Sequence, residues 1–172
     1  MANRYYIDGY NLLHKSPRLG GVARHDLEMA REGLIDELAQ YCTATGHRVT
    51  VVFDGMGKQK TETVEHHRSV PKLEVRYAPS HLSADAVIER AVYIESNKMN
   101  VVVVTNDQGI RDLVRGMGAL VMDPAHFWSG ISETGKDLRS TLGRTQKNAP
   151  SFLEEQLDGE SLARLRDLKD KL

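Results

Sequence analysis

The sequence has one cysteine, Cys42, in 172 residues. A lone thiol excludes an internal disulfide framework and any zinc site built from several cysteines. Long apolar runs are missing as well. The longest uninterrupted aliphatic stretch is Val101 to Val104, far short of the roughly 20 residues that span a bilayer as a helix. Met1-Ala2-Asn3-Arg4 leads straight into a strand-like segment, without the apolar centre of a signal peptide. There is no excess of charge of one sign: 23 Lys and Arg stand against 24 Asp and Glu, a net charge of −1. Any nucleic-acid site must therefore come from local clustering rather than from global charge. No glycine-rich phosphate loop ending in Lys-Ser or Lys-Thr occurs, which ranks a nucleotide hydrolase or phosphatase last among the readings of this chain. The sequence holds no internal repeat and no low-complexity tract. These absences describe a reduced, cytoplasmic, globular chain with no membrane partner. Its length and its hydrophobic share of 40% suffice for one domain with a real core.

What is present alternates. Arg4 to Asp8 reads as a strand closed by a tight turn at Gly9. Asp26 caps a helix along which Leu27, Ala30, Leu34, Leu38 and Cys42 recur at helical spacing, ending at Gly46. His47 to Phe53 is nearly continuous in apolar residues, the pattern of a strand buried on both faces. Residues 55 to 72 show no period and read as a long loop with at most a weak element inside it; loops of that length are usually functional or disordered. Leu73 to Ala78 is a third strand. Ser83 caps a helix bearing Val87, Ile88, Ala91, Val92 and Ile94. Val101 to Thr105 is a central strand, Asn106 caps the helix after it, and Ala119 to Met122 is a last short strand. Such alternation calls for a parallel sheet with helices on both faces, an α/β three-layer sandwich. Phe127 and Trp128 sit on a short element, followed by a polar stretch from Ser129 to about Pro150. Leu162, Leu165, Leu168 and Leu172 then form an apolar stripe. That stripe either covers the chain's own core, the usual role of an amphipathic helix, or pairs two copies, so monomer and homodimer both stay open.

The chemistry lies in where the acids fall. Asp8 ends the first strand, Asp54 follows the second, and Asp107 follows the fourth. Asp85 lies in the first turn of the helix before that fourth strand. With a strand order of 3-2-1-4-5, the order reverses between the strands that lead to Asp8 and Asp107, and open parallel sheets bind ligands at that point, outside the strand ends. Gathered carboxylates repel one another unless one holds a proton or a cation neutralises them. Mg²⁺ or Mn²⁺ suits such a set, because hard ions take oxygen ligands and share them with water and phosphate. Taken singly, each of these aspartates is more often a turn or helix cap than a ligand; four on one rim make capping alone a weaker account.

Asn11, Ser83, Glu89 and Thr105 are supporting candidates beside Asp54. Asn11 either holds a water or phosphate or merely caps. Ser83 is a cap first. Glu89 shares a helix face with Asp85 and is a further ligand or base, or simply an exposed glutamate. Thr105 is placed to bond a ligand or its water. Lys58, Lys60, Arg68 and Lys72 cluster after the second strand, and Arg111 lies on the helix after Asp107, a local positive patch of the kind that contacts RNA phosphates. His66 and His67 stand in the same basic segment, and without cysteines nearby they are poor zinc ligands. Tyr10 and Tyr77 are candidates to stack on unpaired bases.

The pattern resembles a known family. Tyr6-Ile7-Asp8-Gly9-Tyr10-Asn11 resembles the opening motif of NYN-domain proteins, in particular their YacP-like branch. Val51-Val52-Phe53-Asp54-Gly55, Ser83-Ala84-Asp85 with Ile88-Glu89, and Val103-Val104-Thr105-Asn106-Asp107 resemble the branch's three further motifs, in order. The resemblance covers about residues 4 to 130. It implies a PIN-like fold related to metal-dependent ribonucleases. It also implies Asp8, Asp85 and Asp107 as metal-binding and catalytic positions, with Asn11 and Asp54 beside them. RNA, messenger RNA in particular, and the ribosome are the implied partners. Ala86 departs from the second acid common in relatives, and Asn106 stands where a small serine is common. The expected organisation is a PIN-like nuclease domain over 1–130 and a polar linker with a helical C-terminal extension over 131–172. The expected activity is a metal-dependent endoribonuclease that hydrolyses phosphodiester bonds in single-stranded RNA. The alternative is a non-catalytic RNA- or ribosome-binding module on the same fold.

Overall fold

A computed structural model describes residues 3–55, 60–67, 69–137 and 140. Strand β1 is Arg4–Asp8, followed by the short helices α1, Gly9–His14, and α2, Leu19–Val22. Helix α3 spans Leu27–Thr45 and leads to β2, Arg48–Phe53. Strands β3, Thr63–His66, and β4, Leu73–Tyr77, come next, then α4, Ala84–Ile94. Strand β5 is Val101–Val104, α5 is Gln108–Gly116 and β6 is Leu120–Met122. Residues 124–135 are helical.

The strands form one sheet in the order β3-β4-β2-β1-β5-β6. Every neighbouring pair is parallel except β3 and β4, which form an antiparallel hairpin at one edge. The five strands expected from the sequence stand in the expected order, and β3 is added outside them. The register sets Asp8 opposite Val52 and Ile7 opposite Val104, so the C-terminal ends of β1, β2 and β5 share one rim.

Alternation along the strands builds two cores. Tyr5, Ile7, Val49, Val51, Phe53, Val102 and Val104 face α1, α3 and the 124–135 helix. Tyr6, Val52, Val101 and Val103 face α4 and α5. Strands buried on both faces are what covering helices on both sides require. Burying one such aliphatic side chain is worth about 1.5–3 kcal/mol. Ala30, Leu34, Leu38 and Cys42 carry the buried stripe of α3, whose first turn is held by Asp26 accepting the Met29 N–H at 2.9 Å. Trp128 anchors the 124–135 helix: its ring is buried and its Nε1 donates to the Leu12 carbonyl at 2.7 Å.

The weak element allowed for within residues 55–72 is β3, which pairs with β4. Three other local expectations are corrected. The turn after Asp8 is a helix, since the Asp8 carboxylate accepts the Asn11 N–H and starts α1. Asp107, not Asn106, caps α5, accepting the Ile110 N–H at 3.0 Å. The polar reading from Ser129 gives way to a helix through residue 135, with Ile131 buried beside Phe127 and Trp128. The chain divides into a compact unit Met1–Gly135 and a second unit Lys136–Leu172. The stripe of Leu162, Leu165, Leu168 and Leu172 lies outside the described residues. No helix among the described residues is long and apolar enough to cross a membrane.

Candidate active site

Three of the rim acids are fixed by backbone N–H groups. Asp8 Oδ1 accepts the Asn11 N–H at 3.0 Å, and Asp107 Oδ1 accepts that of Ile110 at the head of α5. Asp54 reaches across from β2: its Oδ1 accepts the Ala84 N–H at 2.6 Å, at the head of α4. Ser83 completes that end by accepting the Ala86 N–H at 3.2 Å. The helix that carries Asp85 is thus tied to the end of β2. Capping and site-building are one act here, for a carboxylate that spends one oxygen on an N–H keeps its other oxygen in a set direction.

Glycine after two of these acids is required by space. A Cβ on Gly9 would stand 2.4 Å from the Phe53 ring, and one on Gly55 would stand 2.0 Å from the Ala78 carbonyl oxygen. Both approaches bring the rim segments closer than any other residue allows.

The acids feel one another. Burial pushes the Asp8 carboxyl up to about 6, Asp85 and Asp54 add to the rise, and the Asn11 and Tyr10 N–H groups oppose it. Asp85 is also raised, first by burial and then by Asp107 and Asp54. Its Oδ1 is buried and accepts no hydrogen bond. An orphaned, desolvated carboxylate oxygen among like charges is costly, and a hard cation is the partner whose chemistry relieves it. In the side-chain positions described, no three His, Cys, Asp or Glu groups stand together as a ready cage. The donor set therefore fits an ion held through one or two carboxylates and completed by water and substrate oxygens, the usual manner of Mg²⁺.

The remaining predicted residues separate into those at the rim and those away from it. Thr105 is fully buried and its Oγ1 accepts the Asp107 N–H at 3.1 Å, so it shapes the turn. Asn11 Nδ2 donates to Asn106 Oδ1 at 2.5 Å, joining the ends of β1 and β5 across the reversal point. Glu89 lies one turn beyond Asp85 on α4, half-buried, with no hydrogen bond or ion pair among the described residues. Arg111 sits one turn into α5, with a buried Nε that lacks a partner. Lys60 is exposed shortly before β3, whose first residue pairs with Tyr77 at the rim end of β4. Lys72 is at the opposite end of the sheet, ahead of β4, where its Nζ donates to the Gly46 carbonyl at 3.0 Å. The expected basic cluster is thereby divided, because β3 carries the chain from the rim to the base of the sheet. Lys58 and Arg68 lie outside the described residues.

The two tyrosines are engaged internally. Tyr10 meets Phe53 edge-on at 5.2 Å, Tyr77 stacks on Phe53 at 5.9 Å, and the Arg31 guanidinium lies 5.4 Å from the Tyr77 ring centre. Arg31 gave no signal in the sequence, since an arginine on an amphipathic helix reads as solvated. Asn106 was legible only as a cap.

Known proteins supply the context for this rim. The sequence profile of the YacP-like NYN domain matches residues 5–170, past the last motif and into the C-terminal segment that the motifs leave uncovered. The Bacillus subtilis protein YacP, described as uncharacterized, is 34% identical over 118 residues, 66% of this chain and 66% of its own length. Two crystal structures of Rae1 (YacP) from Bacillus subtilis share the fold at 25% identity. One, of a tryptophan-to-leucine variant, has a TM-score of 0.73 over 88% of this chain and 89% of that one. The other has a TM-score of 0.70 over 98% and 95%. The chain belongs to the YacP-like NYN domain family, and its fold is the PIN-like one of RNase-type nucleases.

Proposed function

We propose that the protein is an endoribonuclease that hydrolyses phosphodiester bonds of single-stranded RNA with Mg²⁺ or Mn²⁺ bound at the acidic rim. The observation that carries this reading is the electrostatic coupling of Asp8, Asp54, Asp85 and Asp107 around an unpartnered, buried Asp85 Oδ1. An RNA backbone is repelled by such a rim unless a cation stands between them. Asp8 and Asp85 would hold the ion from β1 and α4, with Asp107 as a further acidic ligand through water or directly. A bound divalent ion supplies a water of lowered pKa and stabilises charge on the phosphate. Asp8, with its carboxyl near 6, holds the site's exchangeable proton at mildly acid pH and releases it on loading. Asp54 keeps Asp85 in place through Ala84, and Thr105 keeps Asp107 in place through its N–H. Lys60 and Arg111 serve the RNA backbone. Messenger RNA, with the ribosome as partner, is the target class that the family resemblance adds.

Cleavage of unstructured RNA with Mg²⁺ or Mn²⁺ tests the reading. Wild type is expected to cut and Asp8→Asn to lose at least about a hundredfold, the usual scale for removing electrostatic stabilisation at the reacting centre. Equal rates in both would remove the proposed centre. The absence of a ready three-ligand cage among the described residues, with Ala86 in place of an acid, favours a second reading, the non-catalytic RNA-binding module. Under it, Mg²⁺ leaves the melting temperature unchanged and RNA affinity survives Asp85→Asn. Under the nuclease reading, Mg²⁺ raises the melting temperature, because a ligand of the native state stabilises it.

A further inference from the structure

The Asn11–Asn106 pair is the one side-chain bond that spans the reversal point between β1 and β5 among the described residues. Asn106 has no freedom at its flanks. Thr105 before it is fully buried and accepts the Asp107 N–H, while Asp107 after it caps α5. Its Oδ1 accepts from Asn11 Nδ2, which turns its own Nδ2 away from Asn11. The opposite end is an NH₂ group with two donors, and it donates to nothing among the described residues although Asn106 is exposed. A neutral double donor is thereby held on the rim that carries Asp8, Asp54, Asp85 and Asp107. Carboxylates only accept; a phosphodiester also only accepts. Between them, a preset N–H donor is the group that recognises a phosphate oxygen without neutralising the acids that hold the cation.

We propose that Asn106 binds substrate, donating from Nδ2 to a non-bridging oxygen of the RNA phosphodiester, with Asn11 as the positioning residue that orients its amide. The proposal rests on the nuclease reading for the identity of the ligand. It also gives the exchange of a small serine for Asn106 a purpose, since the longer amide both clamps the rim and leaves a donor free.

Two variants separate the roles. Asn106→Asp keeps an acceptor for Asn11 Nδ2 and so keeps the clamp, but replaces the donor with an oxygen. Asn106→Ala removes the donor without adding charge, and removes the clamp as well. For each, kcat and KM on unstructured RNA with Mg²⁺, the melting temperature, and the affinity for a short fluorescent oligouridylate with Ca²⁺ in place of Mg²⁺ are compared with wild type. Loss of a hydrogen bond to a charged oxygen predicts a KM about tenfold higher or more in both variants, with weaker oligouridylate binding in both. The melting temperature of Asn106→Asp should stay at the wild-type value. An effect in Asn106→Ala alone, tracking its melting temperature, would show a clamp and nothing more. An effect in Asn106→Asp alone would show charge repulsion. Either result overturns the proposal. Wild-type protein that binds the oligouridylate but cuts nothing defeats the nuclease reading instead, and the two affinities still decide the role of Asn106. Wild type that neither cuts nor binds overturns both.

Discussion

The residue that sets the electrical state of the rim is Asp8. Its carboxyl ionises near 6 in the folded chain and near the ordinary 3.8 when unfolded. The folded state therefore binds the extra proton between these values. Stability from this group is full below about 3.8 and is lost as pH rises through about 6. Asp8→Asn keeps the oxygen that accepts the Asn11 N–H and cannot ionise. In metal-free buffer its melting temperature should exceed that of wild type at pH 7.5, and the gap should close as pH falls towards 4. A gap that is constant across that range would mean that the Asp8 charge is not strained. With Mg²⁺ present the order should narrow or reverse at pH 7.5, since wild type alone gains the full benefit of the ion. The same group predicts that Mg²⁺ affinity, read by the melting-temperature increment, weakens below pH 6, where protons compete for Asp8.

At the scale of elements, the approach of α1 to β2 depends on Gly9. The Phe53 ring fills the place a side chain would take, and Phe53 is itself fully buried and cannot swing aside. Gly9→Ala should cost about 1–3 kcal/mol by overpacking. Phe53→Leu, destabilising alone, should cost less in the Gly9→Ala background, because the two changes share one space. Additive losses in urea unfolding would show that the backbone, not the ring, meets the new methyl. These contacts also explain what the sequence could and could not disclose. Strands β2 and β5 were legible because Val49, Val51, Val52 and Phe53, or Val101 to Val104, leave no polar face. Strand β3 was not, since Thr63-Val64-Glu65-His66 is an edge strand with three exposed residues and no alternation to detect. Helix α1 was hidden by its length of six residues and its glycine start. Three of the acids, Asp8, Asp54 and Asp107, were legible from strand ends, and Asp85 from the first turn of a helix capped by Ser83. Their supports were not: Asp54 bonding Ala84 spans 30 positions, and Asn11 bonding Asn106 spans 95. Lys72 was misplaced because closeness in sequence ignores the direction in which β3 runs.

For the molecule as a whole, the 124–135 helix acts as a peg. Phe127, Trp128 and Ile131 enter the core shared by α1 and α3, and Trp128 satisfies a carbonyl near the end of α1. Trp128→Phe removes one of the two donors to Leu12 O, leaving the Lys15 N–H, and empties part of the indole's space, so it should cost about 1–3 kcal/mol. Because α1 begins at Asp8, the loss should also lower the melting-temperature increment given by Mg²⁺. An unchanged increment would confine the peg to stability. A chain ending at residue 135, the limit of the compact unit, should melt cooperatively. One ending at 123 should not, as it leaves the sockets of three large apolar side chains empty.

Strand β1 lies at the centre of the sheet and precedes both of its neighbours in the chain, β2, beginning at Arg48, and β5, beginning at Val101. During synthesis its second hydrogen-bonding edge stays vacant until β5 has left the ribosome, and such long-range pairing is the slow part of folding. Asp107 arrives later still. The four acids consequently meet only after Asp107 has left the ribosome, and whatever this rim does begins only once its own message has been read well past that codon.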